Sequence, residues 1–271
     1  MNPNELYHHG IFGMKWGVRR YQRKDGTLTR AGKKRYLVDD ERTIIKKGTT
    51  FNRISTSQEK KASKNRVYVT YTDQDHDYYK ELMTNYKRSL LGDNTKIYDV
   101  SYANMRDIVL PSHQKQVDEF VKLNANKKVR NDIASEVSFV NASRYLESTY
   151  GIKFSKKNIE KTDLYKALKN DYLSYDDKKL RTEGYKQFIK TYNDIPISKL
   201  YQKRLIKQGY NAIWDDNDIM YNDMDTIRPE KSVITFSGKG TLKRIDSKEL
   251  TRSEYKQAIQ NNERKRKNLG T

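Results

Sequence analysis

Apolar residues form short β-branched and aromatic runs in two separate stretches of the chain, a pattern typical of strands. The first stretch predicts strands at 43–45, 50–54, 67–71 and 96–100, and the second predicts strands at 211–214, 232–236 and 242–245. Lysine and glycine at 46–48 and at 238–240 predict turns. We therefore expect a turn or hairpin after the first strand and a hairpin between the last two.

Apolar residues recur at helical spacing in most of the chain between residues 74 and 208. The spacing predicts amphipathic helices at 74–91, after Ser112, and at 131–149, 163–170, 177–192 and 198–208. Thr72 and Ser112 are suited to N-cap the first two of these helices. Gly151 and Gly209 follow two of the others, where a glycine ends a helix most easily.

The order of the elements, strands followed by helices and then strands, favours an α+β fold with segregated layers over an alternating parallel sheet. We expect a mixed or antiparallel β core that is split in sequence by a central helical region. Thr251 and Glu254 have capping-box spacing and predict the start of a C-terminal helix. The chain then divides into a basic, extended N-terminal segment at 1–38, an α+β domain at 39–248 and a basic C-terminal helix or tail at 249–271.

Composition narrows the class of protein. The 271 residues include no cysteine, which excludes a disulfide scaffold, a thiolate zinc site and a cysteine nucleophile. No apolar run approaches the roughly 18 residues of a membrane span, and no secretory signal is visible, so we expect a soluble protein made in a reducing cytoplasm. The 21 tyrosines can build a core if their hydroxyls reach partners.

The formal net charge of +20 is concentrated at the two ends. Residues 1–37 hold nine Lys or Arg against two acidic residues, and residues 252–267 hold six against two. Basic ends favour polyanions, so non-specific nucleic acid is an expected partner, with a solubilising fringe as the alternative. Because more than half of the net charge lies outside the predicted domain, we assign it to a docking segment and a tail rather than to a DNA-reading surface.

The N-terminal segment has the composition of a docking peptide. Its glycines disfavour a helix, and its apolar side chains cannot form a core alone. Phe12, Met14 and Trp16 stand close to Arg19 and Arg20, and aromatic and arginine residues dominate interface energies. We interpret these five residues as partner-docking residues; the alternative is a strap that packs on the protein's own body.

The run from His8 to Tyr36, HHGIFGMKWGVRRYQRKDGTLTRAGKKRY, resembles a short N-terminal module of proteins from phages and prophages of Gram-positive bacteria. Such proteins commonly come from structural or head-assembly gene clusters, and the usual module has proline where this chain has Arg30. The resemblance implies a phage protein of the virion or of the host bacterial cytoplasm. It also implies other phage structural proteins as partners.

Several common sites are absent from the sequence. No P-loop, GxGxxG or GxSxG pattern occurs. The acidic run at 215–218 fails as an EF-hand loop because Met220 and Tyr221 stand where an oxygen ligand and a glycine are needed, so we expect a solvated acidic turn there. The four histidines do not form a ligand set, and we predict no metal site.

One arrangement of polar residues along the predicted strands predicts an enzymatic site. Arg53 lies in an early strand, Thr70 follows Tyr68 in the next strand, and Glu230 precedes the strand at 232–236. Over roughly residues 43–246 this order resembles the arginine–serine/threonine–glutamate layout of ADP-ribosyltransferase-like domains. The family layout leaves Ser55 or Ser57 as alternatives for the hydroxyl.

The resemblance implies a role for each residue. Arg53 would hold the diphosphate of NAD, which is the substrate, with Tyr68 and the Thr70 hydroxyl ordering the site beside it. Glu230 would be the catalytic carboxylate, bonding the nicotinamide ribose and stabilising an oxocarbenium-like centre. The family's usual Glu/Gln-x-Glu is broken by Arg228, so a non-catalytic domain is an alternative.

Three functions therefore remain open. The first is a virion-associated transferase that moves ADP-ribose from NAD to a host macromolecule. The second is a non-enzymatic minor structural or head-assembly protein that binds other phage proteins and DNA, with Arg53 as an ion-paired surface residue on an edge strand. The third is an inhibitor of a bacterial defence system.

Overall fold

The computed structural model describes residues 42–59, 61–220 and 227–269. It confirms the predicted α+β class, with antiparallel sheets and a C-terminal helix. The strands of the described residues are β1 (Arg42–Ile45), β2 (Thr50–Ser55), β3 (Val67–Thr70), β4 (Tyr98–Asn104), β5 (Ile108–Pro111), β6 (Ala212–Trp214), β7 (Ser232–Thr235) and β8 (Leu242–Glu249).

Six of these strands form one antiparallel sheet in the order β6-β7-β3-β2-β4-β8, and β1 pairs with β5 in a second sheet. The hairpin predicted between the last two strands is wrong, because β7 and β8 lie in different halves of the sheet. The turn at 238–240 instead docks on the segment before β3, where Lys239 N donates to Ser63 O at 2.7 Å. The segment at 46–48 is a turn, but the strands beside it belong to different sheets.

The large sheet is split between β2 and β3. In the described part of the chain these two strands pair at a single position, Asn52 opposite Thr70. By contrast, β2 pairs with β4 over its whole length, and β3 pairs with all of β7. Beyond Asn52 and Thr70 the two strands therefore separate, and a gap opens inside the sheet.

Helices cover one face of the sheet and connect its halves. In the described residues they are α1 (Asp73–Leu91), α2 (His113–Asn124), α3 (Lys127–Tyr150), α4 (Lys156–Ile159), α5 (Asp163–Ser174), α6 (Asp177–Lys179), a π-helical turn (Leu180–Gly184), α7 (Tyr185–Thr191), α8 (Ser198–Lys207), α9 (Asp216–Met220) and α10 (Arg252–Leu269). The predicted caps are confirmed: Thr72 and Ser112 accept backbone hydrogen bonds at the starts of α1 and α2. Gly151 ends α3 with a φ of 68°.

The cores lie on opposite faces of the large sheet. One contains Phe51, Val100 and Val233 and is closed by the small sheet. The other is the helical core, which is rich in aromatic residues and meets the sheet at Ile213 and Ile234. Several of its buried tyrosines find hydroxyl partners, for example through the bonds of Tyr172 to Asn124 and of Tyr201 to the Gln116 carbonyl, whereas the buried Tyr192 hydroxyl has no hydrogen-bond partner among the described residues.

The C-terminal helix α10 is anchored to the body. Ala258 and Asn262 are buried, and the Asn262 amide donates to Glu81 Oε2 of α1 at 2.6 Å. Arg266 forms an ion pair with the same carboxylate at 3.3 Å. At the helix start, Thr251 and Glu254 exchange the two hydrogen bonds of the predicted capping box. None of the helices in the described residues is long and apolar enough to cross a membrane.

Candidate functional site

A cavity of about 280 Å³ lies at the split in the sheet. Residues 52–54 of β2 and 68–70 of β3 form its walls, and side chains from α1, the end of α7 and the acidic segment at 215–218 complete it. Because the two strands separate here, residues from both faces of the sheet line one space. The volume is near the lower end of the range for small-molecule sites.

The structure brings together three of the four residues predicted from the sequence. Arg53, Tyr68 and Thr70 all line the cavity. Glu230 does not belong to the described lining; its side chain is exposed, and it lies two residues before the lining residue Ser232. Its role as the catalytic carboxylate stays a prediction.

The main chain around Glu230 is held firmly at the start of α1. The buried Asp75 carboxylate accepts hydrogen bonds from the backbone N–H groups of Glu230 at 2.7 Å and Lys231 at 2.9 Å. It also accepts a hydrogen bond from the Thr72 hydroxyl at 2.6 Å. The chain therefore enters β7 in a defined position beside the cavity.

A row of polar residues crosses the sheet at the closed end of the gap. Ser232, Thr70, Asn52 and Ser101 are direct neighbours on β7, β3, β2 and β4, so their side chains share a face. Thr70 Oγ1 lies 3.4 Å from Asn52 O, and Ser101 Oγ donates to Asn52 Oδ1 at 2.9 Å. A core face of a sheet is normally apolar, so this row gives the cavity a polar floor.

Arg53 approaches the cavity from the other face. Strand alternation places its side chain with Phe51, and its Nε forms an ion pair with Glu59 Oε1 at 3.2 Å. Glu59 also accepts a hydrogen bond from the Tyr102 hydroxyl. In the described residues neither terminal nitrogen of Arg53 has a hydrogen-bond or ion-pair partner, so both keep their donors for a ligand. Arg53 is ion-paired, but β2 is an interior strand and not an edge strand.

Glu59, which forms the ion pair with this arginine, has an unfavourable backbone conformation. Its φ of 34° lies in the left-handed region, which is unfavourable for a residue with a side chain. Such conformations cost on the order of 1–3 kcal/mol and persist where the surroundings impose them. Here the ion pair with Arg53 and the bond from Tyr102 fix the Glu59 carboxylate on both sides.

The expectation of a solvated acidic turn at 215–218 is wrong. Asp215 and Asp216 are 3% and 0% exposed. The segment follows β6, a strand buried on both faces, and therefore enters the interior instead of leaving it. Asp215 and Asp218 line the cavity.

Asp218 stands in a hydrogen-bonded group beside the polar row. It accepts a hydrogen bond from the Tyr79 hydroxyl of α1, which also lies 3.0 Å from Ser232 Oγ. Burial raises the pKa of the Asp218 carboxyl and raises that of Asp215 further, because the charge of Asp218 lies beside it. We infer that Asp215 retains a proton and that Asp218 carries the negative charge of the pair.

The same buried environment sets the protonation state of Tyr68. Burial raises the pKa of its hydroxyl, so Tyr68 stays a neutral hydrogen-bond donor. Ser55 and Ser57, the alternatives for the ordering hydroxyl, are hydrogen-bonded to each other at 3.4 Å and do not belong to the described lining. Among the candidate hydroxyls of the described strands, Thr70 is therefore the one at the cavity.

A second polar cluster lies behind the cavity. The fully buried Asp216 accepts hydrogen bonds from His113, Gln116 and Tyr185, and Gln116 also bonds the backbone of Trp214. These bonds tie the end of β6 to α2 and α7, which fixes the segment that carries Asp215 and Asp218. No group of three or more metal-ligating side chains occurs within the ranges that the structure describes.

The predicted docking residues Phe12, Met14, Trp16, Arg19 and Arg20 lie outside the described residues. Residues 2–23 match a family of unknown function (DUF7211). No match was found among curated proteins. No match was found among solved structures. The chain is thus similar to a recognised family in its N-terminal segment, over less than a tenth of its length.

Proposed function

We propose that the cavity binds NAD and that the protein transfers ADP-ribose from it to a host macromolecule. One observation carries the proposal: Arg53, Tyr68 and Thr70, selected from the sequence as an NAD site, line a single cavity at the split between their two strands. Arg53 comes from a different strand and a different face of the sheet than Tyr68 and Thr70, so its meeting with them is not a consequence of proximity in sequence.

The charges in the cavity suit the two ends of the substrate. The Arg53 guanidinium can donate two parallel hydrogen bonds to a diphosphate, and it is held on one side by Glu59. The acidic wall at Asp215 and Asp218 suits the ribose hydroxyls and the cationic nicotinamide ring. Apolar side chains of Ile54, Met83 and Ile189 complete the lining.

The transfer follows from this placement. The glycosidic bond between the ribose C1′ and the nicotinamide nitrogen breaks, and the electron pair leaves with nicotinamide, whose positive charge is thereby neutralised. The ribose develops oxocarbenium character, which a nearby carboxylate stabilises. A nucleophile of the target then bonds to C1′ and loses its proton.

Removal of the guanidinium tests this function. The full-length protein, incubated with labelled NAD and bacterial lysate, should transfer label to a macromolecule, and Arg53→Ala should reduce the labelling by at least about a hundredfold. Arg181→Ala is the matched control, because Arg181 forms ion pairs with Asp118 and Asp177, and none of these three residues belongs to the described lining of the cavity. An Arg53→Ala variant that labels as well as Arg181→Ala would contradict the proposal.

A second proposal concerns the N-terminal segment. We propose that it docks the protein on other phage structural proteins, so that the body is carried with the virion. The support is its aromatic and arginine content and a family match that is confined to residues 2–23. Deleting residues 1–37 should abolish incorporation into phage particles, measured by immunoblot of purified virions; unchanged incorporation would refute docking.

A further inference from the structure

We propose that Asp218 is the catalytic carboxylate of this cavity and that Tyr79 is its positioning residue. The proposal rests on the NAD-dependent function above and deepens it. It departs from the sequence-based assignment, which places this role on Glu230.

The position of Asp218 follows from a chain of contacts that begins at the polar row. Ser232 stands directly opposite Thr70 at the closed end of the gap. The Tyr79 hydroxyl lies 3.0 Å from Ser232 Oγ and donates to Asp218 Oδ2. These contacts place the carboxylate at the same end of the cavity as Thr70, and all four of these residues line it.

Glu230 lacks such a placement. Its backbone N–H is bound to Asp75, and its side chain is exposed. A carboxylate in water stabilises a developing cation weakly, because solvent screens the charge. Asp218 is partly buried in the wall of the cavity, where solvent screens the same charge less.

The surroundings of Asp218 keep it in the form that the reaction needs. Its Oδ1 accepts a hydrogen bond from the Asn217 amide at 3.3 Å, and its carboxyl is hydrogen-bonded to Asp215. Donors from Tyr79, Asn217 and a protonated Asp215 all favour a charged Asp218. Asp215 therefore serves as the proton-bearing partner of the pair.

The bonds, charges and protons of the transfer reaction are all accounted for when Asp218 is the catalytic carboxylate. As the bond between C1′ and nicotinamide breaks, the Asp218 carboxylate stabilises the positive charge that develops on the ribose. The incoming hydroxyl, of water or of a target side chain, forms the new C1′–O bond. Its proton passes to Asp218, whose raised pKa makes it a stronger base than an exposed carboxylate.

The test measures nicotinamide release by chromatography and NAD binding by calorimetry on the full-length protein. Asp218→Asn should lower the rate of release by about a hundredfold and leave the dissociation constant of NAD within about threefold. Glu230→Gln should stay within about threefold of the wild type in both measurements. Asp93→Asn, at an exposed turn, is the matched control.

Tyr79→Phe gives an independent measurement if Asp218→Asn does not fold. Because the tyrosine hydroxyl lowers the pKa of Asp218, its loss should move the acidic limb of the pH–rate profile to higher pH. An unchanged profile would overturn the assignment, as would an Asp218→Asn variant that keeps a third of the wild-type rate. Loss of activity in Glu230→Gln alone would return the role to Glu230 and leave the proposed function intact. A wild-type protein that releases no nicotinamide would overturn both.

Discussion

The buried pair of Asp215 and Asp218 is the most consequential group at the scale of single residues. Two carboxyls that share one site cannot both ionise without a large electrostatic cost, so one of them holds a proton. Asp215, which is 3% exposed, is the one whose pKa is raised most. The folded protein therefore binds a proton that the unfolded chain releases.

The free energy of unfolding should consequently fall as the pH rises. An unfolded aspartate has a pKa of about 3.9, and the folded value for Asp215 is higher, so stability from this group is lost from about pH 4 up to the raised value. Asp215→Asn cannot titrate and should make the dependence flatter. Urea unfolding at pH 5 and pH 8 measures the difference, and Asp93→Asn, at an exposed site, should keep the wild-type slope. A wild-type slope in Asp215→Asn would contradict the assignment.

The sequence predicted part of this site and missed the rest for a physical reason. Arg53 and Thr70 were recognisable because each lies in a strand that is predicted by the β-branched and aromatic residues beside it. Asp218 looked like a solvent-exposed turn residue, because its burial depends on Tyr79, which is 139 positions away along the chain. The signal that was available is the position of the acidic run directly after the apolar residues of β6.

The starts of helices were predicted correctly where the hydrogen bonds that form them join residues close together in sequence. The N-caps at Thr72 and Ser112 and the capping box at Thr251 each depend on contacts within three residues. Strand partners were not predicted, because pairing is decided by which faces meet in the core. The sequence at 238–240 has turn chemistry, but the turn leads β8 away from β7 to the far edge of the sheet.

Gly238 shows what this turn requires. A Cβ at that position would stand 2.5 Å from Val67 Cγ2 and 2.7 Å from Ser63 O, and the second neighbour is a backbone atom that cannot rotate away. Gly238→Ala should therefore lower the free energy of unfolding by about 1–3 kcal/mol, measured by urea denaturation.

Gly184→Ala is the control for this substitution. Its Cβ would meet the Leu180 side chain at 3.1 Å, a neighbour that can shift, and alanine is favoured over glycine in a helical backbone. We expect a change of less than about 1 kcal/mol. Equal losses in the two variants would show that close approach is not the reason for the glycine at position 238.

At the scale of the whole molecule, the described residues between 42 and 269 belong to one compact unit. This unit includes α10, which the charge pattern suggested was a tail and which is bound to α1 through Asn262 and Arg266. The deletion of residues 1–37 proposed above should therefore leave the midpoint of thermal unfolding within about 2 °C, measured by circular dichroism. A larger fall would indicate that the N-terminal segment stabilises the body and would weaken the docking interpretation.

The split between β2 and β3 has a mechanical consequence. A continuous sheet resists shear through its ladder of hydrogen bonds, whereas in the described residues these two halves are joined by one residue pair and by the core that contains Phe51 and Val233. A small molecule that fills the gap would contact both halves and hold them together. Its binding free energy would then add to the free energy needed to separate the halves. The backbone amide protons that border the gap would therefore exchange with solvent more slowly when the molecule is bound.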